Sequence, residues 1–216
     1  MPTIRVYDDA GALAQAAAAI FVEAARDVVA RRGAFFVALS GGSTPRALFQ
    51  LLAQPPYREQ VDWSRTHVFW GDERCVPPND PESNYRMARE ALLFHVPIPA
   101  HQVYRMPGES ADPAAGAALY EMTMRRAFAL APGEQPRFDL ILLGMGPDGH
   151  TASLFPHTGA LRITDRLVVA NPVEKLGTTR LTLTVPAINH AALVVFLVAG
   201  ADKAETLAAV LQGPRR

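Results

Sequence analysis

The stretch Phe138–Pro156, FDLILLGMGPDGHTASLFP, decides the fold. Leu140-Ile141-Leu142-Leu143 is an apolar run without polar alternation, which fits a strand buried on both faces, as in a parallel sheet covered by helices. Gly144, Gly146, Pro147, Asp148 and Gly149 follow. Such residues turn a chain sharply and let backbone approach a ligand closely. His150 ends the turn, and Thr151–Phe155 is expected to start a short helix. Open α/β sheets place chemistry at the carboxyl ends of buried strands, which makes His150 the first candidate for a reacting group. A loop histidine that merely bonds its neighbours is the alternative.

Outward from this stretch, the same alternation recurs. Ile4–Tyr7 reads as a short strand. Asp8 or Asp9 caps an Ala-rich helix that ends near Arg31-Arg32-Gly33, where basic residues and a glycine suit a helix terminus. Ala34–Leu39 is a second buried strand. It leads into Ser40-Gly41-Gly42-Ser43-Thr44-Pro45 and a helix through Leu52, with Pro45 at a first helical position. Strand, glycine turn and helix start make an arrangement suited to phosphate: backbone N–H groups converge, and Ser43 and Thr44 add hydroxyls. An ordinary capped turn would look the same, because the pattern is neither a Walker loop nor a dinucleotide fingerprint.

Val68–Trp70 is a third strand, followed by Gly71 and the charged loop Asp72-Glu73-Arg74. Ser83 caps a helix over Asn84–Phe94, Val103–Arg105 is a short strand, and Asp112 caps a helix from Ala114 to about Leu130. After the central stretch, Leu167–Ala170 and Leu181–Thr184 read as strands around a polar loop, Glu174–Thr179. Pro186–His190 is a short helix or turn, Ala192–Ala199 an apolar strand and Ala204–Leu211 a last helix. Alternating strands and helices imply an α/β fold with a mostly parallel sheet and helices on both faces, a single domain over 1–216.

The 21 Lys+Arg balance 21 Asp+Glu, so no clustered positive footprint for nucleic acid is expected. Cys75 is the one cysteine, which excludes an intramolecular disulfide and fits a reducing, cytoplasmic compartment. No apolar run reaches the roughly 20 residues of a membrane span. The six methionines are scattered, as core fillers are. The other histidines share no ligand spacing, with His157 the nearest to His150.

Four segments together resemble the 6-phosphogluconolactonase family: ALSGGSTPRALFQLL at 38–52, FWGDERCVPPNDPESNYRMAREALL at 69–93, the central stretch at 138–156, and TTRLTLTVPAINHA at 178–191; AGADKAETL at 199–207 fits as well. The resemblance implies a three-layer α/β/α fold of the ribose-phosphate-isomerase type, shared with glucosamine-6-phosphate deaminases. It implies hydrolysis of 6-phospho-D-glucono-1,5-lactone in the oxidative pentose phosphate pathway. The deaminases carry a ring-opening Glu at the position of Phe155, and Asp-Glu-Tyr where this chain has Asp72-Glu73-Arg74. Both departures favour the lactonase over the deaminase. A non-catalytic sugar-phosphate sensor is the third reading.

In this light His150 is the candidate general base. Asp148 either orients the imidazole or braces the turn. Arg74, or backbone N–H groups of the glycine turn, would stabilise the oxyanion; Arg74 could instead bind sugar hydroxyls or pair with Asp72. Gly41, Gly42, Ser43 and Thr44 would bind phosphate, joined by resemblance by Arg180 and Lys203. Asp72, Asn84 and Arg86 are candidates for the sugar. No metal or organic cofactor is expected. The expected partner is a sugar-phosphate lactone, with no nucleic acid and no membrane, for a monomer or weak homo-oligomer. Relatives usually continue past the last helix with an apolar, Trp-containing segment; the end at Arg216 puts the sheet edge, rather than the site, in question.

Overall fold

The computed structural model describes residues 3–214. The elements are α1 (Ala10–Arg32), β1 (Phe35–Leu39), α2 (Ser43–Leu52), α3 (Tyr57–Gln60), β2 (Thr66–Trp70), β3 (Asp72–Arg74), α4 (Asn84–Ala88), α5 (Pro113–Ala127), β4 (Leu140–Leu143), β5 (Val168–Val173), β6 (Thr178–Leu183), α6 (Val185–Asn189), β7 (Val194–Phe196) and α7 (Ala204–Gln212). The caps read from sequence are in place. Asp9 accepts from the Ala12 N–H at 2.7 Å, and Gly33 closes α1 at φ 79°. Ser83 and Asp112 cap α4 and α5.

Four parallel strands form the central sheet, in the order β2-β1-β4-β7. Side chains alternate across it. Phe35 meets Phe21 of α1 edge to face at 5.4 Å, so one face is covered by α1. Phe36 packs on Phe128, which caps α5, while Phe69 meets Tyr120 of α5; these define the opposite layer. All four residues of β4 are buried, as the unalternating apolar run requires. The chain leaves β1 to form β2 on one side and later returns to form β4 on the other. That reversal opens a crevice beyond the carboxyl ends of β1 and β4, where this fold class binds ligands.

The structure corrects several local expectations. Ile4–Tyr7 pairs with no strand; Ile4 is 60% and Val6 90% exposed. Thr151–Phe155 is not a helix but a tight turn with a Thr151–Leu154 bridge, since its polar groups are committed to other segments. Val103–Arg105 contributes only a single bridge to Val68. Pro45 is the third helical residue of α2, which starts at Ser43. Asp72-Glu73-Arg74, read as a loop, is strand β3. With β6 and β5 it makes a separate antiparallel sheet in the order β3-β6-β5, so Leu167–Thr184 does not extend the parallel sheet. Charged residues are weak strand formers; here cross-strand pairing overrides propensity. The strand expected over Ala192–Ala199 is limited to β7, an edge strand on which Phe196 is 54% exposed.

Candidate active site

Beyond β4 the chain makes a compact turn. The Gly146 N–H donates to the His150 carbonyl at 2.8 Å and the Gly149 N–H to the Gly146 carbonyl at 3.0 Å. The Thr151 hydroxyl donates to the Gly144 carbonyl at 2.9 Å, and Thr206 of α7 braces the Pro147 carbonyl at 2.6 Å. Gly149 has φ 82°, which favours glycine. Gly146 is required for a different reason. A Cβ there would lie 2.1 Å from the His150 ring, so the missing side chain is the space the imidazole occupies.

His150 is held on two sides. Its Nδ1 lies 2.5 Å from Asp148 Oδ1, and its ring stacks on Phe155 with centroids 4.0 Å apart. A carboxylate oxygen only accepts, so Nδ1 carries the proton and Nε2 is left as the basic nitrogen. Burial pushes the His150 pKa below the ordinary imidazole value. Asp72 opposes that fall, while Arg180, Lys203 and Arg74 reinforce it. The group is therefore neutral at neutral pH, the state a general base needs.

The charged tripeptide divides by strand alternation. Asp72 and Arg74 line the cavity with His150, and Glu73 turns away. Glu73 is 2% exposed and accepts from the backbone N–H groups of Arg74, Asn84 and Tyr85 and from the Ser83 hydroxyl, at 2.7–3.0 Å. It anchors the start of α4. Asp72 accepts from Ser153 Oγ at 2.7 Å and from Asn84 Nδ2 at 3.2 Å. Asn84 in turn fills the space over Gly41, where a Cβ would stand 1.8 Å from its Oδ1.

The antiparallel register sets Arg74 directly opposite Arg180. Opposed residues share a face with Cβ atoms about 4.5–5.5 Å apart, and like charges there are unfavourable. Burial and the Arg74 charge both lower the Arg180 pKa from its ordinary value. Two arginines facing each other on a cavity wall are an arrangement that an anion relieves.

One cavity of about 460 Å³ joins these parts. Its walls include Gly41, Gly42, Asp72, Arg74, Asn84, Gly144, Gly146, Asp148, His150 and Arg180. Three expected phosphate ligands lie outside it. Ser43 and Thr44 sit in the first turn of α2 without lining the cavity, since Gly42 is where the chain turns into the helix. Lys203 pairs with Asp202; its charge is felt by His150, but its side chain is not on the wall. His157 is exposed, and Arg86 is engaged by Glu90 and the Asn79 carbonyl. The sequence reading missed Ser153, which orients Asp72, and Lys175, which ion-pairs with the second oxygen of Asp148. It also missed Asn171, whose amide holds the Ser153 carbonyl at 2.8 Å. The two close strands around Glu174–Thr179 were the available signal for a hairpin reaching the site. Among the described residues, no cluster of three or more His, Cys, Asp or Glu is placed to hold a metal.

Comparison with known proteins gives a consistent picture. The family model for glucosamine-6-phosphate isomerases/6-phosphogluconolactonase matches residues 8–216. A 6-phosphogluconolactonase from Nostoc is 45% identical over 208 residues, covering 96% of this chain and 84% of the relative. One from Synechocystis is 51% identical over 179 residues, covering 83% and 72%. The solved 6-phosphogluconolactonase of Trypanosoma cruzi superposes with a TM-score of 0.88 at 32% identity, over 100% of this chain and 86% of the other. A monomeric glucosamine-6-phosphate deaminase shares the fold, with a TM-score of 0.79 at 20% identity over 97% of this chain and 87% of the other.

Proposed function

The chain belongs to the glucosamine-6-phosphate isomerase/6-phosphogluconolactonase family, and from that premise we propose that it hydrolyses 6-phospho-D-glucono-1,5-lactone to 6-phospho-D-gluconate in the oxidative pentose phosphate pathway. The observation that carries the reading is a neutral, oriented imidazole and a pair of facing arginines on the walls of one cavity.

In the proposed reaction, His150 Nε2 takes a proton from water as the water oxygen adds to C1 of the lactone. The C1 carbonyl electrons move onto its oxygen. The tetrahedral adduct collapses with cleavage of the bond from C1 to the ring oxygen. The imidazolium returns its proton to that oxygen, which becomes the C5 hydroxyl, and the new carboxylic acid ionises. Asp148 holds the Nδ1–H tautomer and stabilises the transient imidazolium. General-base assistance contributes about 10²–10⁴-fold, which suffices for an activated ester. Arg74 and Arg180 grip the phosphate with the backbone N–H groups at Gly41 and Gly42, and Lys203 adds positive potential. The backbone N–H groups of the Gly144–Gly149 turn serve the oxyanion, where one donor is commonly worth about 3–4 kcal/mol. Asp72, fixed by Ser153 and Asn84, is the sugar-hydroxyl acceptor.

The deaminase reading is disfavoured at Phe155. The position where deaminases carry a carboxylate is here an aromatic ring stacked on the imidazole. The reading carries with it a small-molecule substrate, a cytoplasmic setting and a monomer or weak homo-oligomer. The cavity supports the small-molecule substrate, and the single cysteine, with no helix among the described residues long and apolar enough to cross a membrane, supports the setting. The deciding experiment feeds the protein freshly made 6-phosphogluconolactone and, separately, glucosamine 6-phosphate. We expect 6-phosphogluconate to form well above spontaneous hydrolysis and no ammonia to appear. Ammonia release without lactone turnover would replace this reading by the deaminase.

A further inference from the structure

Four side chains close a ring at the cavity wall. Asp148 holds His150 Nδ1 on one oxygen and the Lys175 ammonium on the other. The Lys175 Nζ stands 4.8 Å from the centroid of the Phe155 ring. That ring stacks on His150 and completes the circuit. Lys175 belongs to neither element that carries the other three. It sits in the 3-10 turn Glu174–Leu176 joining β5 to β6, closed by Gly177 at φ 58°. The same strand β6 carries Arg180 four residues from the turn's last residue.

We propose that Lys175 is a positioning residue for His150, acting through Asp148 and Phe155. Its ammonium ties the free oxygen of Asp148, which stops the carboxylate from rotating away from Nδ1. It also lies over the Phe155 ring, which stacks on the imidazole at an interplanar angle of 27°, and so helps fix that ring in place. Its charge weakens the pull of Asp148 on an added proton, which keeps Nε2 neutral and available. The charged groups acting on His150 are Asp148 on its own turn, Asp72 and Arg74 on β3, Arg180 on β6, Lys203 before α7, and Lys175 on the hairpin. Among the described residues Lys175 is the cation bonded to Asp148 itself. Docking of the β5–β6 hairpin and assembly of the catalytic pair are thereby one event.

The ring's geometry stands independently, but the catalytic consequence rests on the lactonase reading, and the test separates the two. The imidazole of His150 is titrated by NMR in the wild type, Lys175→Met and Lys175→Arg, and kcat and KM are measured on the lactone across pH. Methionine keeps the packing of the stem and removes the charge. Lys175 is half-exposed, so its pair is in the modest range and an upward shift of about 0.5 unit is expected in Lys175→Met. That corresponds to about a threefold loss of kcat/KM on the acid side, carried by kcat, with Lys175→Arg restoring both. An unmoved His150 titration, or a loss confined to KM, would overturn the proposal and make Lys175 a substrate contact. An inactive wild type would overturn the lactonase reading, while the titration would still decide for or against Lys175.

Discussion

At the scale of single residues, the site depends on an imidazole whose environment disfavours its charged form. Burial is the largest cause; Asp72 opposes it, and Arg180, Lys203 and Arg74 add to it. Because the folded pKa is lowered, the basic form predominates at pH 7 and is lost as pH falls through a value under the ordinary 6.5. The pH profile of kcat/KM should therefore show a single acid limb with its midpoint below 6.5, and Asp72→Asn should move it further down. A midpoint above 6.5 would mean that another group supplies the base. His150 and Asp148 were legible in the sequence because they lie two residues apart on one turn. Ser153 and Lys175 were not. Their carboxylate partners are 81 and 27 residues away, a distance that only the folded chain closes.

At the scale of elements, the short strand β3 does most to assemble the cavity. Its alternation sends Asp72 and Arg74 to the cavity wall and Glu73 to the base of α4. The sequence placed these three charges together after a buried strand but read them as a loop, because strand pairing with β6 leaves no propensity signal in Asp-Glu-Arg. Glu73 is predicted to be structural. Glu73→Ala would leave three backbone N–H groups and a hydroxyl without their acceptor, and each buried unsatisfied donor costs about 1–3 kcal/mol. With partial rescue by water, a loss of about 3 kcal/mol in urea unfolding is expected. A change under about 0.5 kcal/mol would show that the buried carboxylate contributes nothing to the fold. The glycine turn after β1 was correctly located, yet the cavity is lined by its glycines and not by the hydroxyls of Ser43 and Thr44, which the helix start carries off the wall.

At the scale of the whole molecule, the chain's route decides where chemistry sits. The order β2-β1-β4-β7 puts the Gly41-Gly42 turn and the His150 turn on adjacent strand ends at the point where the connections reverse. Alternating elements made the parallel sheet and its covering layers legible. The second sheet was not, because nothing local distinguishes a strand that extends one sheet from a strand that starts another. That sheet carries both arginines, so a ligand held by them would couple binding to global stability. 6-Phosphogluconate at about ten times its Kd should add about 1.4 kcal/mol, or roughly 3–5 °C in Tm. Arg180→Ala should abolish most of that gain at the same ligand concentration and raise KM with little change in kcat. An undiminished Tm gain would place the phosphate elsewhere.

The central claim is that His150 activates the water that opens the lactone. It is tested most directly by the steady-state kinetics of His150→Ala on fresh 6-phosphogluconolactone, with spontaneous hydrolysis subtracted. The account predicts that kcat falls by at least about 100-fold while KM stays within about twofold. A His150→Ala protein that turns over at the wild-type rate, or that loses activity only through KM, would contradict it.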